Sequence, residues 1–524
     1  MGKPSLIVEL EKSLNVTIPP KSMRDLSYYM GYNQDEAGKI IGLCLQRIEF
    51  DGYIFKNLQN LKKLNLSENN LTDISFIKGL KDLEEININN NPIEDFNPIG
   101  SHKKLIKLWI SQTEHIDFRF LQSLKSLESL ILSSVKSSNF NEINQLKHLS
   151  HIRFSSLNLE NLKFLKGLKA INSIRINHSK NRNLNFSPIG KCKILRELDI
   201  SNNNLRSVSF ISTLKQLEKL EISNNPLEDI KPVGSLKKLK YLSAGDDVPN
   251  INPIQHNVNL ETLYLRDKNL FDISPLTKLK KLKDLDISYS DEMDISSLNG
   301  IRNLESLLII GMDIPDLTCV SDLKKLTYLD SSFNKYVDVE GVKDLKNLQN
   351  LKLDYNEITD IQGLENLIQL EELTLGENKI KDISVLSNLR NMKNLNLAEN
   401  NINEITSLKN LKKLERLSIS GNNISDFRPI YELNKLEMVR IDKNPVKDLD
   451  TKKLINQKMV ISGYFNSGPS PDLKLPKDID YTNETCPPSW CPWRPDNVGC
   501  CHGCRFLNFQ ENPHIFRCEF NLEN

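Results

Sequence analysis

The sequence predicts an α/β solenoid with a small cysteine-rich module at its C-terminal end. A parallel sheet should line its concave side, with short helical or 3₁₀ turns on the convex side. Two observations lead there. An apolar position recurs every 22 residues through most of the 524-residue chain. Each recurrence is followed by the apolar alternation of a short strand with one buried face. One such unit cannot bury that face alone, so neighbours must stack and share a core.

A clear copy is Leu348-x-x-Leu351-x-Leu353-x-x-Asn356-x-Ile358-x-Asp360-Ile361, and Leu370-x-x-Leu373-x-Leu375-x-x-Asn378-x-Ile380-x-Asp382-Ile383 follows 22 residues later. The leading position recurs at Leu61, Leu83, Leu105, Leu127, Leu149, Ile171, Leu195, Leu217, Leu239, Leu260, Leu282, Leu304, Leu326, Leu348, Leu370, Met392, Leu414 and Leu436. Only two of these steps differ from 22, one of 24 into Leu195 and one of 21 into Leu260. A degenerate nineteenth copy is expected at Ile40, Leu43, Leu45 and Ile48. Asn closes the turn in ten of the eighteen copies, where its amide is expected to satisfy backbone groups of the adjoining loops. Segments such as Ser274-Pro275-Leu276-Thr277-Lys278-Leu279 should cross back on the outer side.

The pattern L-x-x-L-x-L-x-x-N-x-L at this period is the leucine-rich repeat signature. Its 22-residue length and the Asp-Ile-x-Pro-Leu ending of Asp272 to Leu276 resemble the repeats of bacterial internalins and of the leucine-rich repeat regulator of phosphatase type 1. The resemblance covers roughly three quarters of the chain. It implies a curved solenoid that binds a protein on its concave sheet, and it allows a narrower role in regulating an enzyme such as a phosphatase.

Lys and Arg number 69 against 68 Asp and Glu, so no strongly basic face points to nucleic acid. No apolar run is long enough to span a membrane. The start, Met1-Gly2-Lys3-Pro4-Ser5-Leu6, lacks the apolar centre of a signal peptide, and Leu6 stands where myristoylation needs Ser or Thr. A cytoplasmic protein that touches no membrane is therefore expected. Sequons such as Asn70-Leu71-Thr72 follow from the Asn-rich consensus.

Residues 1–39 are read as a helical cap for the exposed solenoid end. Leu6, Ile7, Leu10 and Leu14 share one helical face, and a second helical stretch is expected around Met23, Leu26, Tyr29 and Met30. Gly31 to Lys39 is no phosphate loop, since its glycines are too far apart and Ile40 replaces the Ser or Thr. Residues 40–461 are assigned to the solenoid, the Gly- and Pro-rich stretch 462–485 to a linker, and 486–524 to the cysteine-rich module. The repeats from Leu105 to Ile171 are degenerate, with Thr113, Val135, Leu157 and Ser179 in place of Asn. A bulge is expected near Ser179 to Asn183 and a disturbance near Asp246 to Asn250.

Two features are candidates for function. On the inner face, side chains between the buried leucines point to solvent. Most are small or polar, but Trp109 and Ile131 stand on adjacent rungs, followed by Arg153 and Arg175. Tyr241, Tyr264 and Arg266 form a second group, and Leu308, Ile310 and Tyr328 a third. Folding gives apolar side chains no reason to face that surface, and Trp, Tyr and Arg are enriched in binding hot spots. These residues are the candidate contacts to a protein partner.

The second feature is the tail, where six of the nine cysteines fall: Cys486, Cys491, Cys500, Cys501, Cys504 and Cys518. Such density without a secretion signal points to metal binding before disulfides. Cys501-x-x-Cys504 has ligand spacing, and His502 or His514 is available to complete a tetrahedral zinc site, with iron as the alternative. The spacing matches no standard zinc ribbon and is similar to small cysteine clusters proposed to chelate zinc or iron. Disulfides and a redox or iron–sulfur role remain open. Cys44, Cys192 and Cys319 are isolated and expected to pack.

No metalloprotease, nucleophile-elbow or phosphate-loop pattern occurs, so the leading expectation is a non-enzymatic binding scaffold. The rival places an enzyme or redox centre in the tail, with the solenoid selecting the substrate. A segment this short and polar needs a bound metal to fold. Elemental analysis of reduced protein should find about one zinc or iron per chain. Chelation should shift the fluorescence of Trp490 and Trp493 without melting the repeats. A metal-free tail ordered only on oxidation would overturn this expectation.

Overall fold

The apolar-x-apolar segment after each repeat's leading position holds a short strand, because alternation puts one side chain into the core and the next into solvent. The computed structural model describes residues 3–445 and 460–462, apart from residues 51, 114, 138, 246–247, 249, 267–271 and 291–293. Two compact units are distinguished, Met1–Gln369 and Leu370–Asn524.

In the first unit the strands from Ile40–Cys44 to Asn350–Lys352 pair in parallel with one register. Leu43 lies beside Leu64, Leu64 beside Ile86 and Ile86 beside Leu108, so the leucines form continuous buried columns. The first of these strands sits where the nineteenth copy was expected. A 3₁₀ turn of three to six residues follows each strand. Its start explains the recurring Asp: the carboxylate of Asp272 accepts the N–H of Ser274 at 2.7 Å, and Asp73 does the same for Ser75 at 2.8 Å. In the second unit Glu372–Thr374, Asn394–Asn396, Arg416–Ser418 and Met438–Arg440 repeat the arrangement, and Val460–Ser462 pairs with the last of them.

Asparagine locks the turn after the strand. Asn225 is 1% exposed. Its Nδ2 donates to the carbonyls of Ile200 and Ile222, each at 3.0 Å, and its Oδ1 accepts from Leu205 N at 3.1 Å. One carboxamide thus joins two repeats. In two repeats without Asn the strand runs on instead: Lys107–Thr113 and Ser129–Val135 have seven residues, against three in Lys63–Asn65 and Glu85–Asn87, whereas Asp284–Asp286 and Ser306–Leu308, followed by Ser290 and Met312, stay at three.

The outer column of Leu80, Leu124 and Leu146 is interrupted by His102 and Asn257, both fully buried. Asn257 Nδ2 donates to Val233 O at 3.0 Å and Leu236 O at 2.9 Å. Burial pushes the His102 imidazole down to about 4, so it stays neutral in the core at physiological pH. Cys44, Cys192 and Cys319 are buried as packing residues, their thiols pushed up by burial to about 12, 11 and 12.

The N-terminal segment differs from two helices. Ser5–Leu14 is helical and buries Ile7 and Leu10, but the second expected helix is one 3₁₀ turn, Asp25–Ser27. Gly31–Gln34 then forms a strand antiparallel to Ile40–Cys44. The apolar spacing that read as helical holds only Leu26 inside, and Tyr29 is 54% exposed.

Replacing Asn225 with Ala leaves two buried carbonyls and an N–H without their partner. We expect a loss of roughly 2–4 kcal/mol in denaturant unfolding of the repeats. A loss below about 0.5 kcal/mol, the size of a surface substitution, would show that the side chain does not lock the turn.

Candidate partner-binding site

The solvent side of the first unit's strands carries side chains in files, one from each repeat, at the spacing of paired strands. Neighbouring strands stand roughly 4.8 Å apart, so residues in register touch. One file runs Trp109, Ile131, Arg153, Arg175, Asp199. Trp109, Ile131 and Arg175 are half-buried and Arg153 is exposed, each between side chains that belong to the core. The first candidate group is therefore contiguous: two apolar residues, two guanidiniums, then a carboxylate.

The charges in this file are not equivalent. Arg175 Nε lies 2.7 Å from Asp199 Oδ2. The other oxygen of Asp199 accepts from Asn177 Nδ2 and Ser201 Oγ, each at 2.7 Å, and from Ser201 N at 3.1 Å. Asp199 is 8% exposed and fully used. The Arg153 guanidinium makes no ion pair with any described residue. Partial burial and then the neighbouring Arg175 cation make its charged form less favourable than usual. A shallow cavity of about 290 Å³ lies here, with Ile131, His151, Arg153, Arg175, Glu197 and Lys219 among its lining residues.

The N-terminal segment marks where this open face begins. Lys63 Nζ donates to Ser27 Oγ at 2.7 Å, and Asn65 Nδ2 donates to the carbonyls of Leu26 at 3.0 Å and Ser27 at 3.2 Å. Asp25–Ser27 thus lies on the strand face of the Lys63–Asn65 rung. Tyr28 follows at 72% exposed. Sequence reasoning missed Tyr28, because nothing local says that the cap folds over the face.

Tyr241 and Tyr264 also come together, with ring centroids 5.6 Å apart at 88°. Lys219 Nζ stands 4.5 Å from the Tyr241 centroid and 2.7 Å from Glu221 Oε1. Burial, and then the Glu221 carboxylate, push the Tyr241 phenol up to about 12. Arg266 is tied to Asp286, Nε to Oδ2 at 2.6 Å. In the third group Leu308 lies in register between Asp286 and Asp330, Tyr328 sits beside Ser306, and Ile310 is half-buried just beyond its strand. The ten residues thus form three patches. Sequence reasoning also missed Tyr289, Phe333 and Tyr355, exposed aromatics at the strand ends. Their signal was their place directly before the turn-closing position, where other repeats carry polar residues.

Cys486, Cys491, Cys500, Cys501, Cys504 and Cys518 lie outside the described residues. Among the described residues no cluster of three or more His, Cys, Asp or Glu is placed to hold a metal ion. No helix among them is long and apolar enough to cross a membrane.

A family model for leucine-rich repeats, in two copies, matches residues 59–101, 195–235, 346–388 and 390–432. No curated protein matches the sequence. Among solved structures, an internalin (inlF) from Listeria monocytogenes is 26% identical, over 57% of this chain and 88% of that one, with a TM-score of 0.51. The leucine-rich repeat protein LIC12759 of Leptospira interrogans is 22% identical, over 76% of this chain and 100% of that one, with a TM-score of 0.49. TLR13, solved as a complex with ssRNA13, is 21% identical, over 83% of this chain and 69% of that one, with a TM-score of 0.50, a likeness of fold alone. The chain is a leucine-rich repeat protein. Within that class it resembles the internalins.

Asp199 and Arg153 should respond differently to truncation. Asp199→Ala strands buried donors and should cost roughly 2–3 kcal/mol of stability. Arg153→Ala should stay within about 0.5 kcal/mol. Equal losses in thermal unfolding would contradict the division between a structural and an available charge.

Proposed function

We propose that this protein is a non-enzymatic scaffold that recognises a protein partner through the strand-lined face of its repeats. The observation that carries the reading is the contiguous file Trp109, Ile131, Arg153, Arg175. Two apolar side chains on adjacent rungs provide area to desolvate. An adjacent guanidinium that makes no ion pair with a described residue provides a place for an acidic side chain of the partner. Tyr241 and Tyr264 supply a further aromatic contact on the same face. A balanced charge supports a protein rather than nucleic acid as the partner. We assign the metal role, zinc or iron, to the cysteine-rich tail on its spacing alone.

Trp109→Ala tests this function. Affinity capture from the native host with the full chain, quantified against the variant, should show retention reduced about tenfold. The melting temperature should stay within about 2 °C, because the indole stands opposite the core. A large loss of stability with undiminished capture would assign Trp109 to folding and remove the main support for this face.

A further inference from the structure

We propose that the edge where the strands Asp284–Asp286, Ser306–Leu308, Tyr328–Asp330 and Asn350–Lys352 end is a second docking surface. Its occupant is a polypeptide segment that presents arginine or lysine beside an apolar side chain. This goes beyond the face around Trp109 and rests on different residues.

The residue before each turn-closing position adopts a left-handed backbone. Elsewhere in the first unit these residues are polar, as at Glu68 (φ 58°), Asn90 (φ 56°), Gln112 (φ 53°), Ser134 (φ 52°) and Ser156 (φ 55°). Here they are Tyr289 (φ 66°), Phe333 (φ 59°) and Tyr355 (φ 55°). Bulky side chains are disfavoured in this region, and an observed outlier of this kind points to a use. The three rings are 47%, 53% and 43% exposed, so burial in the core does not repay that cost.

The rings also form one surface. Phe333 and Tyr355 stack with centroids 4.3 Å apart and planes 9° apart. On the rung between Tyr289 and Phe333 stands Gly311, itself at φ +61°. A Cβ there would stand 3.1 Å from Tyr289 Cδ1 and 4.0 Å from Phe333 Cβ. The missing side chain lets the Tyr289 ring lie over the glycine towards Phe333. A platform fixed by stacking loses little freedom on binding.

Charge selects the occupant. Beside the ridge, Leu308 lies in register between Asp286 and Asp330, and the half-buried Ile310 extends the apolar surface towards the edge. Asp286 is held by Arg266, whereas Asp330 accepts hydrogen bonds from Ser332 N at 3.2 Å and Ser332 Oγ at 2.8 Å. Burial raises the Asp330 carboxyl above its ordinary value, against the lowering effect of the Ser332 hydrogen bonds and of the in-register Lys352, and the nearby Asp286 charge adds to the rise. An incoming cation would favour the Asp330 carboxylate and can stack on an outward aromatic face. An acidic segment would gain no such contact from Asp330, although it suits the arginines of the first face.

The test is selection of random nine-residue peptides displayed on phage against the full chain. Selected peptides are then measured on a Phe333→Ser/Tyr355→Ser variant, on Asp330→Asn and on Trp109→Ala. Serine is tolerated at the equivalent left-handed positions Ser134 and Ser156, so the double variant should keep its melting temperature. The expected result is a class of peptides carrying Arg or Lys next to Leu, Pro or an aromatic residue. These peptides should weaken at least about tenfold on the double variant, weaken on Asp330→Asn, and keep their affinity on Trp109→Ala. If the double variant melts early, Asp330→Asn carries the comparison, since it removes a charge and no ring. Ridge-dependent peptides that are acidic or lack a cation would overturn the proposal, as would a selection in which no peptide depends on Phe333, Tyr355 or Asp330. Peptides lost only on Trp109→Ala report on the first face, so the two readings fail separately.

Discussion

Stacked repeats bury the backbone of every turn between two neighbours, and each buried N–H and C=O there needs a partner. That constraint sets the period. Asn400 meets it with one side chain: Nδ2 donates to Leu375 O at 2.8 Å, Ala398 O at 3.1 Å and Leu397 O at 3.2 Å, while Oδ1 accepts from Ile380 N at 3.0 Å. Two of those partners, Leu375 and Ile380, belong to the preceding repeat. The geometry works only if each repeat presents its carbonyl and amide at the same place as the last. A constant 22-residue step is the consequence, and leucine at the flanking positions fills the columns that this spacing creates.

Where the asparagine is lost, the backbone finds another solution, and that solution shapes the candidate site. Thr113 and Val135 pair in register, and Lys136 N donates to Thr113 O at 3.2 Å, so the strand ladder itself satisfies the turn. The longer strands broaden the solvent face beneath Trp109 and Ile131. Tyr241–Gly245 and Thr262–Arg266 are likewise longer than their neighbours and carry the paired tyrosines. Several of these degenerate repeats carry aromatic or basic side chains on the strand face, whereas Phe333 and Tyr355 stand in repeats closed by Asn334 and Asn356.

The repeat was legible because each rung restates it: Leu351 and Leu353 are fully buried, as their alternation requires, and so are Leu373 and Leu375. Files on the strand face could be read the same way, since register follows from period and puts Trp109 beside Ile131. What escaped depends on contacts without a period. Ser27 reaches Lys63 across 36 residues, and no local pattern announces that the cap folds onto the strand face. Apolar spacing around Met23 to Met30 looked helical, although only Leu26 needed burial. Tyr289, Phe333 and Tyr355 were hidden by a turn in which the residue before the Asn has no core to face, so hydrophobicity there carries no structural signal. His102 and Asn257 stand at leucine positions and look like interruptions until the carbonyls around Asn257 are seen.

Balanced charge in this chain is also a product of the repeat. Lys62 pairs with Glu84, Lys104 with Asp82, Arg196 with Glu218, Lys283 with Glu305 and Lys335 with Asp313, each across one 22-residue step. Exposed pairs of this kind add little stability individually and are screened by salt. Their larger effect is to cancel local fields along the repeats, so a charge outside the ladder stands out. Arg153 is such a charge, with Arg175 beside it already committed to Asp199. Asp330 is another: bonded to Ser332 and in register with Lys352, its carboxyl is still raised by burial and by a second carboxylate close by. One lies beside Trp109 and Ile131, the other beside Leu308 and the aromatic ridge. An apolar patch with an uncompensated charge at its margin has both elements of a specific contact: area to desolvate, and a sign that rejects the wrong partner. On the proposed reading, opposite signs let the two surfaces sort two different segments without either surface having to move.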